Sequence, residues 1–215
     1  NEIINYNKNL SLIEKLKMIK AFGAHLHAVS GTRDELTKAA LEYHYKTGIP
    51  FASHVYDSLF YHGVKTLYYE VYEELGKLPP TMIPVCNGTL LFGFDLAVQE
   101  MLRLRLIEKA PDLYIVQPEN CSSLKGKEHK ETIAEGVALF DPLRKNQLME
   151  LQQRYNAKVI RMSEEEIIKA YEDLLEEGIY AEYTSALAYG ARKNTGEELL
   201  IPITGSGLKN HGEKL

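Results

Sequence analysis

Short apolar runs that alternate with helical stretches constrain this chain more than any other feature. Residues 81–85, 114–117 and 159–160 are compact apolar segments, and each is flanked by residues with helical spacing. The chain is predicted to form helices at 11–22, 33–46, near 64–75, at 92–106, at 164–177 and near 185–191. Strands are predicted at 25–29, 81–85, 114–117, 159–160 and 199–203. Gly23, Gly48, Gly76 and Gly178 stand where helices should stop, and Ser163 with Glu166 writes a capping box in front of Ile167, Ile168, Tyr171 and Leu174. Strands this short and this apolar are buried on both faces. The expected fold is therefore α/β, a three-layer arrangement with a mostly parallel sheet covered by helices. Residues 118–146 carry few periodic signals and read as a long excursion of the kind that is more often functional than idle.

Composition removes several functional classes. With 45% hydrophobic residues in 215, the chain can bury one good core or two modest ones. A net charge of -5 offers no basic field for nucleic acid or anionic lipid. Cys86 and Cys121 lack zinc-type spacing and make no disulfide framework. No apolar run approaches the roughly 18 to 20 residues that span a bilayer, so a cytoplasmic protein without membrane or nucleic-acid partners is expected. The polar opening at Asn1 suggests the remainder of something longer.

Two segments carry chemistry by position. Residues 84–93 read Pro-Val-Cys-Asn-Gly-Thr-Leu-Leu-Phe-Gly and link a predicted strand to a predicted helix. A turn that feeds a helix N-terminus at the mouth of a parallel sheet offers free N–H groups and the positive end of a dipole, and both favour phosphate. Gly88 permits close approach, and Asn87 and Thr89 add polar side chains; the same pattern also serves as an ordinary strand-to-helix turn. Residues 204–209, Thr-Gly-Ser-Gly-Leu-Lys, follow the last apolar run, where ligands of open α/β sheets lie, although a Gly-rich terminal turn reads the same way. Glu182 is either a functional carboxylate or a helix N-terminal acid. His25 and His27 have strand spacing that suits a metal but lack acidic or Cys partners, and edge histidines are the better reading. His54 and His62 fit packing better than acid–base work, and Lys65 reads as surface.

Taken in order, these segments resemble the threonine synthase-like branch of the pyridoxal-phosphate (PLP) enzymes, fold type II, also described as tryptophan synthase β-like. Residues 21–31 are similar to the family's Gly-Ala, strand, Gly step, and residues 53–66 to its Asn-Pro-Phe, Gly, Lys-Thr stretch. Val-Gln-Pro-Glu at 116–119, Thr-Ile-Ala-Glu-Gly at 132–136 and the Gly-Ile, Glu, Ser-Ala pattern at 178–186 continue the likeness. The resemblance implies an incomplete fold of this type. Residues 1–50 would be part of the small domain and 51–215 the second half of the large PLP-binding domain.

It further implies that Cys86, Asn87, Gly88, Thr89 and Leu90 cradle the cofactor phosphate, and that the Thr204 hydroxyl faces the pyridine nitrogen. A neutral hydroxyl there suits elimination and replacement better than transamination. Cys86, Thr89 and Leu90 depart from the family's Gly, Gly and Asn. Where threonine synthases place an arginine just before the Gly63 position, this chain has Phe60, Tyr61 and His62. The family's Schiff-base lysine lies N-terminal to everything matched here, so no catalytic residue is assigned in this chain. The implied activity of the intact protein is threonine synthase-like conversion of O-phosphohomoserine to threonine. A threonine dehydratase-like or related PLP lyase, and a non-catalytic subunit that only binds a partner, are the alternatives. Expected partners are an amino-acid substrate, further copies of the chain in a homo-oligomer and an N-terminal companion polypeptide.

Overall fold

The alternation of strand and helix is realised in two units, residues 1–57 and 58–215. The computed structural model describes residues 3–7, 13–30, 33–125, 130–139, 141–196 and 198–210. In the first unit, β1 (Ile3–Asn7) and β2 (His25–Val29) pair in parallel, with α1 (Ile13–Ala21) and α2 (Arg33–Thr47) following them in turn. Gly23 and Gly48 leave the two helices at positive φ, as a left-handed stop requires. β1 escaped the sequence reading because it is a five-residue polar–apolar mixture. The start of the predicted helix at 11–22 lies outside the described residues.

The second unit opens with α3 (Leu59–Val64) and α4 (Thr66–Leu75) and then builds a parallel sheet in the order β3-β4-β5. Its strands are β3 (Thr81–Pro84), β4 (Leu113–Pro118) and β5 (Lys158–Met162), and α5 (Thr89–Arg103) and α6 (Lys145–Arg154) make the crossovers. α7 (Glu164–Glu176) and α8 (Tyr183–Ala191) complete the unit.

β3 and β4 are buried along their whole length, so each residue faces a helix layer on one side or the other. Ile83, Ile115 and Val159, in register across the sheet, pack with Phe94, Val98 and Met101 of α5 and Leu148 and Leu151 of α6. Met82, Tyr114, Val116 and Met162 point the other way, against Ile167 of α7 and Leu187 and Ala191 of α8. The sheet is thus the middle of three layers. Among the described residues, no helix is long and apolar enough to cross a membrane.

Three boundaries differ from expectation. α5 begins at Thr89, not at Phe92, because Gly88 takes a left-handed conformation and starts the helix earlier. The last strand, predicted over 199–203, pairs with β3 only at Leu200; Pro202 has no N–H with which to extend the ladder. α6 carries only Leu148 and Leu151 as buried residues in an otherwise polar stretch, too thin a stripe to be read from periodicity.

Candidate functional site

The loop between β3 and α5 is fixed from both ends. The Val85 N–H donates to Val116 O at 3.1 Å, continuing the ladder past β3, and the Phe92 N–H donates to Gly88 O at 2.8 Å, closing the first rung of α5. Between them Cys86 and Asn87 are half-buried, and Cys86 leans on the apolar cluster of Met82 and Leu187. Gly88 has φ 85°, and a Cβ there would stand 2.2 Å from Leu148 Cδ2, so no side chain fits.

Because Gly88 is the N-cap, it supplies no side-chain acceptor, and the first turn of α5 holds no acid. The N–H groups of Thr89, Leu90 and Leu91 precede the helical ladder and form the positive end of a 15-residue helix. Such a donor set fits a phosphate dianion. Thr89 and Leu90 are half-buried on the same turn.

Gln117 holds this loop in place, a role that the sequence did not reveal. Its amide is 1% exposed. The Nε2 group donates to Val85 O at 3.0 Å and to Ser123 Oγ at 2.8 Å. Oε1 accepts from Ser122 Oγ at 2.9 Å and from the Leu124 N–H at 3.2 Å. One buried amide therefore ties the end of β3 to the segment that follows β4. The signal was a glutamine inside a buried apolar run with Ser122 and Ser123 close behind.

Thr204 reaches the same edge of the sheet by another route. The parallel bridge of Leu200 to Thr81 makes 200–204 leave the sheet in the direction of β3, toward its carboxyl end. Ser185 of α8 then fixes the turn: its Oγ accepts the Thr204 N–H at 3.0 Å and the Gly205 N–H at 3.4 Å, and lies 3.4 Å from Thr204 Oγ1. Glu182 donates its N–H to Gly205 O at 2.9 Å, and its carboxylate covers Gly205 so closely that a Cβ would meet Cδ at 2.0 Å. Thr204 itself is exposed. The loop 86–90 and Thr204 share the carboxyl edge of the sheet and are anchored separately, the first by Gln117 and the second by Ser185. In the sequence Ser185 is one member of the Gly-Ile, Glu, Ser-Ala pattern, and only the fold gives it an anchoring role.

Glu182, the N-cap of α8 without a side-chain cap bond, thus stays beside the Thr204 turn, and the remaining candidates fall elsewhere. His25, His27, His54 and His62 are exposed, and His27 meets Tyr43 edge-on at 5.5 Å. Lys65 is not a bare surface lysine: its Nζ grips both oxygens of Glu100 at 2.7 and 2.8 Å, and the Tyr69 hydroxyl donates to Glu100 Oε2 at 2.9 Å. The hydrogen bond from Lys65 holds the Glu100 carboxyl below its ordinary range. This cluster clasps the start of α4 to α5.

Comparison with known proteins follows the same outline. The chain is 28% identical to L-threonine ammonia-lyase of Thermotoga maritima over 91% of its own length and 50% of that protein's. It is 27% identical to threonine synthase of a Bacillus species, covering 91% of this chain and 59% of the relative. The chain spans about half the length of the curated relatives it matches.

Among solved structures, maize serine racemase superposes with a TM-score of 0.78 at 16% identity, over 95% of this chain and 65% of that one. Threonine deaminase isoform 2 of Solanum lycopersicum gives 0.74 at 20%, over 97% and 64%. Both share the three-layer α/β fold. The pyridoxal-phosphate dependent enzyme family matches residues 4–202, and its members depend on that cofactor. The chain belongs to the pyridoxal-phosphate-dependent enzyme family, and it is similar there to threonine synthase and threonine ammonia-lyase.

Proposed function

We propose that the intact protein carries out PLP-dependent elimination or replacement on an amino acid, with a threonine synthase-like reaction first and a threonine ammonia-lyase-like one second. The observation that carries this reading is the open N-terminus of α5 at the carboxyl edge of a parallel sheet, the edge toward which the segment leading to Thr204 also runs. Under it, residues 1–50 belong to the small domain and 51–215 to the large one. The N–H groups of Gly88, Thr89, Leu90 and Leu91 hold the phosphate, with Cys86 and Asn87 shaping the approach. Thr204 offers a neutral hydroxyl to the ring nitrogen, and Ser185 keeps it there. When bound, the cofactor supplies the electron-withdrawing ring that elimination and replacement need. The catalytic lysine comes from a segment preceding these residues or from a companion polypeptide, and the working form is a homo-oligomer.

A non-catalytic subunit is the second reading, favoured by Cys86 and Thr89, which carry side chains where the family pattern has Gly, and by Leu90, which is apolar where that pattern has Asn. Mixing the chain with PLP, alone and with any co-encoded N-terminal polypeptide, separates the two. A visible-edge absorbance that appears, and that borohydride reduction abolishes, only when the partner is present supports the enzyme. PLP binding in neither mixture leaves the subunit reading.

A further inference from the structure

The helices α4 and α5 end side by side and stop in different ways. The Tyr72 hydroxyl on α4 donates to Leu106 O, just past α5, at 3.0 Å. Burial and the bond to Glu100 push the Tyr69 hydroxyl pKa up, and the positive charge of Arg103 pulls it back, which sets that guanidinium beside α4. α4 stops at Gly76, with φ 66°, the residue type that a left-handed stop prefers. α5 stops with a turn of the same kind: the Arg105 N–H donates to Leu102 O at 3.1 Å and the Leu106 N–H to Met101 O at 2.9 Å. Its left-handed residue is Arg105, with φ 58°, where glycine would carry no steric cost. A side chain kept against that cost points to a use other than folding.

Apolar residues surround Arg105 and meet water. Leu104 and Leu106 on either side are 58% and 39% exposed, and Leu75 at the end of α4 is 50% exposed. Arg103 is exposed beside them, and α4 presents Glu70, Glu73 and Glu74 along its exposed face. Glu100 is matched inside the chain by Lys65 and Tyr69. Among the described residues, Glu70, Glu73, Glu74, Arg103 and Arg105 form no ion pair. The acids belong to α4 and the arginines to the end of α5, so opposite charges lie on either side of the seam between the two helices. Such a surface is complementary to itself: a twofold axis along the seam sets the acids of each copy against the arginines of the other and encloses the leucines. An apolar centre with arginine around it is also the usual makeup of a protein interface.

We propose that the ends of α4 and α5 form an interface with a second copy of this chain, in which Arg103 and Arg105 of each copy meet the α4 acids of the other around a centre of leucines. Arg105 is kept at a left-handed position because its partner lies on the other copy. These residues are separate from the Gly88 loop and Thr204. The interface gives a place to the homo-oligomer named under Proposed function and does not depend on the cofactor read there.

The test is sedimentation velocity of the full chain over a range of concentrations, at low and at physiological salt. The variants are L104D, R105G, the reversals R103E/R105E and E73R/E74R, and the two reversals combined, with thermal unfolding and PLP affinity read on each. Wild type should pass from one chain to two as concentration rises, and associate more weakly at higher salt. L104D and each reversal alone should weaken association roughly tenfold or more, and the combined variant should recover most of the loss, because the charges are exchanged as a set. R105G should associate more weakly without unfolding at a lower temperature, since glycine suits the turn, and that pair of results separates docking from folding. PLP affinity should stay that of wild type throughout, so failure of the cofactor reading and failure of the interface are separate results. A wild type that stays a single chain at every concentration, or an oligomer that R105G and both reversals leave intact, overturns the proposal.

Discussion

The N-termini of α7 and α5 begin two helices of similar length on opposite faces of one sheet and treat their unpaired N–H groups in opposite ways. α7 is sealed from within. The Ser163 hydroxyl accepts the Glu166 N–H at 3.2 Å, and Glu166 returns the bond to the Ser163 N–H at 2.8 Å. Glu164, Glu165 and Glu166 fill the first turn, and bonds from the Glu165 backbone and the Ser163 hydroxyl hold the Glu165 carboxyl below its ordinary range. Glu164 also accepts the Ile133 N–H at 2.8 Å, spending its charge on a neighbouring loop. α5 has a bare glycine cap and no first-turn acid. The same backbone electrostatics that an acid neutralises in one helix are left for an external anion in the other.

The largest effect is expected from Gly88→Ala, which adds a Cβ 2.2 Å from Leu148 Cδ2 at a backbone φ of 85°. Left-handed strain and overpacking together should cost on the order of 3 kcal/mol in urea unfolding and abolish phosphate-dependent binding. Next comes Gln117→Leu, which strands Val85 O and the hydroxyls of Ser122 and Ser123. A loss of about 2 kcal/mol is expected, with weaker PLP binding, since the loop ahead of α5 loses its clamp. Ser163→Ala should cost about 1 kcal/mol by thermal unfolding and leave PLP affinity unchanged, because the α7 end binds no ligand. Thr89→Asp seals α5 in the manner of α7. It should stabilise the ligand-free chain by about 0.5 kcal/mol and remove the stabilisation that added PLP gives wild type.

What was legible in the sequence had a local cause. The capping box at Ser163 and Glu166 and the stop glycines at Gly76 and Gly178 are written within a few residues, and the structure places them as read. The buried strands β3 and β4 were plain because burial on both faces leaves an apolar run. What was missed depends on partners distant in sequence. α6 has a two-residue stripe that means nothing until Gly88 and the Phe94 layer are opposite it. Pairing of 199–203 was overestimated because hydrophobicity marks burial and not ladder formation.

The site divided in the same way. The Gly88 loop and Thr204 were visible as turns after strands, and the family resemblance gave them a ligand. Gln117 and Ser185 act through bonds that span from five to 32 positions in the chain, and no spacing rule finds them. Lys65 looked like surface because its partner, Glu100, lies on another helix.

The most direct test of the account follows backbone amide resonances of the isotopically labelled chain as PLP is added. Shifts concentrated at Gly88, Thr89, Leu90 and Leu91, saturating with PLP and weak with pyridoxal, while Glu164 to Ile167 stay still, are the predicted result. Equal movement at both helix ends, or none at Gly88 to Leu91 when PLP is bound, would contradict the claim that the unsealed end of α5 is where the phosphate sits.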